Sequence, residues 1–509
     1  MDRIINAIAG RRPRSGDTLA DHTITVHQDG GVATLSLSEL DERARAVAAW
    51  LRRRGIGAGD RIGIVARNRL EWILLDLAAL KIKAVTAGFD HSHFAPTQAL
   101  ADAYGLKAIF TDRDTDCPAA ADIRSLSGLP PAAGEEEAPH YDDEDVTTIK
   151  FTSGSTGVPK GLGATAASID SSISAVQELF RHGAEDRLFV FLPLSLLQQR
   201  YWIYSALYYG HDVVVATYEL AFHALRRERP TVVMGVPSFF DAIWKQAEAK
   251  LRAAGADPGD LDRRRSALDA LLGDRVRYLW TGSAPANPAM LRFFHDAGVP
   301  IFEGYGMNET CIVTKNHPGH CRIGSAGKPV PGKEIHVGEG GMLYVRSRHP
   351  VNRRYLFGEP GASERIFLPD GSVATGDLAR IDEDGYLYIT GRADDVVALG
   401  NGKNVPVRPI EERIKSFPAV EECVLFGAGR PFLLAVVSAA AGGTRDGIAA
   451  HIEDVNRTLG KDERVGGFIV APNPFSIANG LLTSQYKPRR KAIFDAYAEE
   501  INRAYGDKA

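Results

Sequence analysis

The sequence predicts an α/β protein: a large, multi-subdomain N-terminal domain of layered α/β sheets with a small β unit, then a small α+β C-terminal domain. Three observations carry that prediction. Between Ser38 and Trp280, segments with apolar residues at helical spacing alternate with short apolar runs, the pattern of layered sheets. Around Ile335 to Ile389 the pattern changes to short strands broken by Gly and Asp turns. After Arg392 it changes again, with isolated strand candidates set among helices.

The elements follow in order. Ser38 to Arg54 places Leu40, Ala44, Val47, Ala48 and Leu51 at helical spacing, and the Gly55-Ile56-Gly57 turn leads into a strand at Arg61 to Ala66. The alternation recurs as helix Trp72 to Leu80 before a strand from Lys83, helix Phe94 to Tyr104 before a strand from Lys107, and helix Phe239 to Leu251 before strand Val276 to Trp280. An acidic, Pro-rich stretch, Pro130 to Asp145, reads as a surface loop at a subdomain seam before the strand Thr147 to Phe151. Gly341 to Arg346 and Gly385 to Ile389 are strands of the small β unit, and Glu422 to Phe426 and Phe432 to Val437 are strands of the C-terminal domain. A chain of 509 residues exceeds one ordinary hydrophobic core, so at least two domains are expected.

Composition narrows the function classes. Apolar residues make up 44% and charged residues 24%, the profile of a globular protein. The 60 basic and 64 acidic residues are interspersed, so no broad basic field suits a nucleic-acid backbone. Short basic runs at Arg52 to Arg54, Arg263 to Arg265 and Arg489 to Lys491 read as solvated helix faces, with only the last bearing on function. Cys117, Cys311, Cys321 and Cys423 show neither a CxxC pair nor a histidine at zinc-ligand spacing, so neither a disulfide framework nor a zinc site is expected. The greasiest stretch, Trp72 to Leu80, is short and interrupted by Asp76, and the first residues lack a signal-like apolar core; a cytoplasmic protein without a membrane span is expected.

The strongest local signal is Phe151-Thr-Ser-Gly-Ser-Thr-Gly-Val-Pro-Lys-Gly161, a loop of small hydroxyl and glycine residues after a strand. Glycines let backbone N–H groups approach phosphate oxygens, hydroxyls add donors, and Lys160 supplies a cation against a leaving pyrophosphate. The loop does not fit the GxxxxGK[ST] pattern of P-loop nucleotidases, and by itself it also reads as a surface turn.

With its companion motifs, this loop resembles the phosphate-binding signature of the superfamily of adenylate-forming enzymes, which holds acyl-CoA synthetases, peptide-synthetase adenylation domains and luciferases; the chain is most similar to the long-chain acyl-CoA synthetase branch. The resemblance implies that Thr152, Ser153, Gly154, Ser155, Thr156, Gly157 and Lys160 handle the phosphates of ATP. Gly304-Tyr-Gly-Met-Asn-Glu309 matches the YGxTE motif, which gives Tyr305 to adenine stacking between Gly304 and Gly306, Glu309 to Mg²⁺, and Asn308 to the α-phosphate in place of threonine. Asp377 in Thr375-Gly-Asp matches the residue that receives the ribose hydroxyls, and Arg392 in Gly391-Arg matches the GRxxD element beside ribose and phosphate; Ile389 is carried over as a nucleotide neighbour. Asp394 falls on the hinge, so the resemblance places the domains at 1–393 and 394–509 and makes the second one mobile. Gly400 to Asn404 resembles the loop facing the pantetheine channel. Lys487, in Leu481-Leu-Thr-Ser-Gln-Tyr-Lys, resembles the lysine that bridges the carboxylate and the α-phosphate.

Three departures gather on the acid side: Leu196 where the LPLxH segment has histidine, Asn308, and Ser484-Gln485 for Pro-Thr. Residues near Tyr201, Trp202, Pro237, Ser238 and Gly282 are the expected acid-pocket wall. The resemblance implies an AMP-forming acid ligase with ATP, Mg²⁺ and CoA as second substrate, and Lys487, Lys160 and Glu309 as catalytic residues. The departures keep open a non-CoA outcome: carrier-protein loading, amide formation, lactone closure, or activation of nitrite for diazotisation. A nucleotide-binding protein without catalysis is a third reading, disfavoured by the retained Lys487.

Overall fold

The structure, a computed structural model, describes residues 3–11, 18–132, 138–152, 159–257, 259–483 and 488–506, without the side chains of Thr18, Thr152 and Asp394. The chain divides into two compact units, Met1–Ile335 with Tyr344–Ala374, and His336–Leu343 with Thr375–Ala509.

The first unit holds two large sheets. One has nine strands in the order Lys328–Pro329, Cys311–Lys315, Ile301–Met307, Tyr278–Thr281, Val232–Gly235, Arg187–Val190, Asp212–Ala216, Thr23–Gln28 and Gly31–Ser36. The other has six, in the order Ala120–Asp122, Ala108–Thr111, Arg61–Val65, Val85–Gly88, Val146–Thr152 and Lys160–Thr165. The central pairs of both are parallel, as expected of strands linked by helical crossovers.

The helix Leu37–Arg53 starts at a capping box in which the Ser36 hydroxyl accepts from the Glu39 N–H and the Glu39 carboxylate accepts from the Ser36 N–H. Leu70–Lys81 is buried along its whole length, so the greasy stretch is a core helix. Its polar interruption is paired, since Asp76 accepts from Arg200 at 2.8 Å and from the Tyr204 hydroxyl at 2.5 Å. The helix expected from Phe94 begins instead at Gln98, capped by Thr97; Pro96 lies just outside it. The stretch from 130 to 145 has no helix or strand among its described residues, yet Tyr141 in it is fully buried and donates to the Leu80 carbonyl at 3.1 Å. Short strands occur at Lys333–Val337, Met342–Ser347, Ser372–Ile381 and Leu387–Arg392, and the unit boundary falls within this stretch.

In the second unit the sheet Val420–Phe426, Leu433–Ala439 and Val465–Val470 sorts its side chains by strand alternation. Cys423, Leu425, Ala435 and Val437 pack with Ile410, Ile414, Ile448 and Ile452 of two helices, while Val424, Phe426, Leu434 and Val436 pack with Ile493, Tyr497 and Ile501 of two others. The basic run at 489–491 is not simply a solvated face: Arg490 donates to Glu411 at 2.7 Å and to the Leu425 carbonyl at 2.6 Å, and faces Asp395 at 3.5 Å. No helix among the described residues is long and apolar enough to cross a membrane.

Candidate functional site

In the first unit, the glycine-rich loop joins two antiparallel strands. Thr152 is registered opposite Lys160, so the loop closes a hairpin. Residues Ser153, Gly154, Ser155, Thr156 and Gly157, and the Thr152 side chain, lie outside the described residues. Lys160 stands at the hairpin's mouth, where the segment from Val351 to Phe357 runs back along its strand: the Gly161 N–H donates to the Phe357 carbonyl at 2.9 Å, and the Leu356 N–H to the Gly161 carbonyl at 2.8 Å. This approach needs a glycine, since a Cβ on Gly161 would lie 2.6 Å from the Phe357 ring. It also brings the Tyr355 ring to 5.2 Å from Lys160 Nζ.

Tyr355 ties that hairpin to the second motif. Its hydroxyl donates to Glu309 Oε1 at 2.5 Å, and both residues are buried. Burial, with the Glu309 carboxylate beside it, holds the Tyr355 hydroxyl well above its ordinary pKa, so it stays a donor. Glu309 Oε2 has no hydrogen-bond partner among the described residues. A single oriented carboxylate fits Mg²⁺, which takes one or two carboxylates and fills its other positions with phosphate oxygens and water. No group of three or more His, Cys, Asp or Glu that could hold a metal occurs among the described residues.

Tyr305 and Gly306 flank a break in register between Ile301–Met307 and Cys311–Lys315. The backbones come so close there that a Cβ on Gly306 would lie 2.1 Å from the Cys311 carbonyl oxygen, and one on Gly304 would lie 2.6 Å from Lys315 Cδ. Asn308 donates its amide to the Phe151 carbonyl at 3.4 Å, joining this motif to the base of the glycine-rich loop.

Buried cations back the motif, and the sequence reading did not find them. Lys315 donates to the Thr281 and Phe302 carbonyls at 3.2 and 2.9 Å and sits 3.8 Å over the Trp280 ring; burial pushes its pKa well down. Lys333 donates to the Thr310 carbonyl at 2.7 Å and the Ser347 hydroxyl at 2.8 Å, and burial lowers it to about 8. Lys150 donates to Cys311 Sγ at 3.3 Å. Burial alone would raise the Cys311 thiol, but Lys150 and Lys333 outweigh it and hold it below the ordinary value. Glu303, just before Gly304, accepts from the Ala286 N–H at 3.1 Å, and burial raises it to about 7. The one sequence signal for Lys150 was a charge inside an otherwise strand-like run; Tyr355 had none, lying in a loop without a motif.

The second unit presents its residues on one hairpin. Asp377 is registered opposite Arg392, whose guanidinium donates to Asp377 Oδ1 at 3.1 Å, and Ile389 pairs with Ala379 in the same hairpin. Asp377 is buried, and its backbone N–H donates to the Thr375 hydroxyl at 3.0 Å. Gly376 has φ +74°, the left-handed region that glycine favours, and the Arg392 guanidinium packs against its Cα face. Asp394 lies in the short turn Ala393–Asp395. Residues 399–403 turn between the paired strands Val396–Ala398 and Asn404–Pro406. Lys487 and the Ser484-Gln485 pair lie outside the described residues.

On the acid side, Leu196 is the N-cap of helix Leu197–Tyr209 and makes no side-chain cap bond. The expected wall residues Tyr201 and Trp202 line a cavity of about 10 Å³ with Gln198, Ser205, Met234 and Ile312 among others, while Pro237, Ser238 and Gly282 are not on its wall.

The AMP-binding enzyme family model matches residues 14–350, and the AMP-binding enzyme C-terminal domain model matches residues 394–509. The chain is 28% identical to a long-chain-fatty-acid–CoA ligase of Mycobacterium bovis over 94% of this chain and 93% of that protein. It is 28% identical to a feruloyl-CoA synthase of an Amycolatopsis species over 80% and 83% of the two chains. Among solved structures it superposes on the o-succinylbenzoate coenzyme A synthetase of Bacillus subtilis in complex with AMP, with a TM-score of 0.78 and 21% identity over 96% of this chain and 98% of that one. The adenylation domain of a Mycobacterium chelonae carboxylate reductase gives a TM-score of 0.80 at 20% identity, over 99% and 93% of the chains.

Proposed function

The chain belongs to the AMP-binding enzyme family, and we propose that it is an acid–CoA ligase in which named residues divide the work of two half-reactions. In the first, a carboxylate oxygen attacks the α-phosphorus of ATP, the bond to the β-phosphate oxygen breaks, and pyrophosphate leaves an acyl-AMP. In the second, the CoA sulfur attacks the acyl carbon and AMP departs, leaving a thioester.

The observation that carries this assignment is the Lys160–Tyr355–Glu309 chain at the mouth of the glycine-rich hairpin. It sets a cation against the ring and a carboxylate on the hydroxyl of one tyrosine, charges of the kind a polyphosphate with its metal requires. Lys160 neutralises charge on the departing pyrophosphate. Mg²⁺, when bound through Glu309, supplies charge neutralisation at the phosphate oxygens. Tyr305 stacks on adenine, and Gly304 and Gly306 keep its strand close to its neighbour. Asn308 serves the α-phosphate side, with the hydroxyls of Thr152, Ser155 and Thr156. Asp377 accepts from the ribose hydroxyls while Arg392 holds it, with Ile389 beside them, and Lys487 bridges the two anions that must meet. The domain division at 393/394, with Asp394 as pivot, is part of the same proposal; the C-terminal family match beginning at residue 394 supports it.

With an accepted acid and CoA, purified protein should convert ATP to AMP and pyrophosphate in step with thioester. Formation of ADP and phosphate instead would refute the assignment.

A further inference from the structure

We propose that Lys333 is a positioning residue, its ammonium holding the turn between Met307 and Cys311 in the conformation that presents the Glu309 carboxylate to magnesium-bound ATP. The inference rests on the role given to Glu309 above and adds the group that sets its backbone.

Glu309 sits in a tight turn. Met307 and Cys311 pair across the antiparallel strands Ile301–Met307 and Cys311–Lys315, which leaves Asn308, Glu309 and Thr310 to close the hairpin. The Thr310 N–H donates to the Met307 carbonyl at 3.3 Å, and the Met307 N–H to the Thr310 hydroxyl at 3.4 Å. Cys311 leaves the turn at φ +56°, in the left-handed region. A residue with a side chain is disfavoured there and stays only where its surroundings impose it, a pattern that gathers at functional sites.

The surroundings that impose it are specific. Lys333 Nζ, arriving from the strand Lys333–Val337, donates to the Thr310 carbonyl at 2.7 Å and to the Ser347 hydroxyl at 2.8 Å. The Cys311 sulfur accepts from Lys150 at 3.3 Å and lies 3.1 Å from the Tyr201 hydroxyl. Thr310, Cys311, Lys150 and Tyr201 are all buried. Glu309 is thus held at two points, its carboxylate by the Tyr355 hydroxyl and the carbonyl of the next residue by Lys333. Without the ammonium, that buried carbonyl loses a charged donor where water does not replace it, and the turn is released to seek another.

The tie is made by charge as well as by geometry. The charged groups that face Lys333 are Cys311 and Lys150, while its hydrogen-bond partners Thr310 and Ser347 are neutral. Burial lowers Lys333 to about 8, with Cys311 opposing the fall and Lys150 adding to it. Lys333 is therefore charged at neutral pH and loses its proton as pH rises through about 8, when a charge-assisted bond becomes a weaker neutral one.

The test is calorimetric binding of ATP to the full chain, with and without magnesium, on both sides of pH 8. Lys333→Met should weaken magnesium-ATP by about 10-fold or more, the loss of one hydrogen bond from a charged donor, and leave metal-free ATP nearly unchanged. Lys333→Arg, whose donor stays charged, should restore most of that loss. The parent's magnesium-dependent affinity should fall as pH rises through about 8, and that of Lys333→Arg should not. Melting curves confirm folding; if either variant is unfolded, the parent's own pH profile decides, and a flat one overturns the inference. Equal weakening of metal-free and magnesium-bound ATP in Lys333→Met marks a merely structural lysine and also overturns it. So does a Lys333→Met protein that binds both as the parent does. A parent that binds magnesium-ATP no more tightly than metal-free ATP overturns the role of Glu309, and this inference with it.

Discussion

Replacing Tyr355 by Phe removes the hydroxyl that donates to Glu309 at 2.5 Å but keeps the ring that Lys160 faces at 5.2 Å. The bond is to a buried carboxylate, and bonds to charged groups contribute about 1.5–3 kcal/mol. At about 1.4 kcal/mol per factor of ten, kcat/KM for magnesium-ATP in pyrophosphate exchange should fall about 10- to 150-fold. Half-saturating magnesium should rise as well, because the carboxylate loses the donor that orients it. Tyr355→Ala also removes the ring, and a cation–π contact of about 0.5–1 kcal/mol should cost a further few-fold. The assay is exchange titrated with magnesium at fixed ATP, with circular dichroism to confirm that each variant is folded. Unchanged exchange in Tyr355→Phe at every magnesium concentration would refute the argument that this hydroxyl positions Glu309.

Three further outcomes are expected. Lys487→Ala should suppress adenylate formation by about 10²–10³-fold, the loss typical of a single preorganised donor, while transfer from supplied acyl-AMP changes much less; equal losses in both half-reactions would count against the bridging role. Gly306→Ala should lower stability by about 3 kcal/mol, since the new Cβ meets a backbone oxygen at 2.1 Å that no side-chain rotation relieves; an unaltered melting temperature contradicts the close approach. Glu303 is held at about 7 by burial, above its ordinary 4.5, so its protonated form contributes stability fully below pH 4.5 that is lost as pH rises through 7. Glu303→Gln should therefore match the parent near pH 4.5 and exceed it by about 3 kcal/mol above pH 8, at about 1.4 kcal/mol per pKa unit; a constant difference across that range refutes the assigned burial.

Motif residues were legible because their chemistry is local. Gly304, Gly306 and Gly376 each answer a backbone demand that a short sequence window carries, and the Asp377–Arg392 pair follows from one hairpin. The helix Leu197–Tyr209 was not legible: it is buried on nearly all sides, so the apolar period that marks an amphipathic helix is absent. Tyr355 escaped for a different reason, since its partners Lys160 and Glu309 lie far off in sequence and only the return of its loop along Gly161 unites them. Arg490 looked like part of a solvated run because a basic triplet says nothing about the acids that fold against it, here Glu411 and Asp395. The cavity lined by Tyr201 and Trp202 was the least legible part, because its wall is drawn from two helices and two strands.

In the proposed reaction the acid is joined to AMP through its own oxygen. Turnover with a carboxylate labelled in both oxygens with the heavy isotope, in the presence of ATP and CoA, follows that oxygen. Mass spectrometry should find one label in the AMP phosphate and one in the thioester. Label that stays wholly with the acid, or that appears in inorganic phosphate or pyrophosphate instead of AMP, would contradict an acyl-adenylate intermediate.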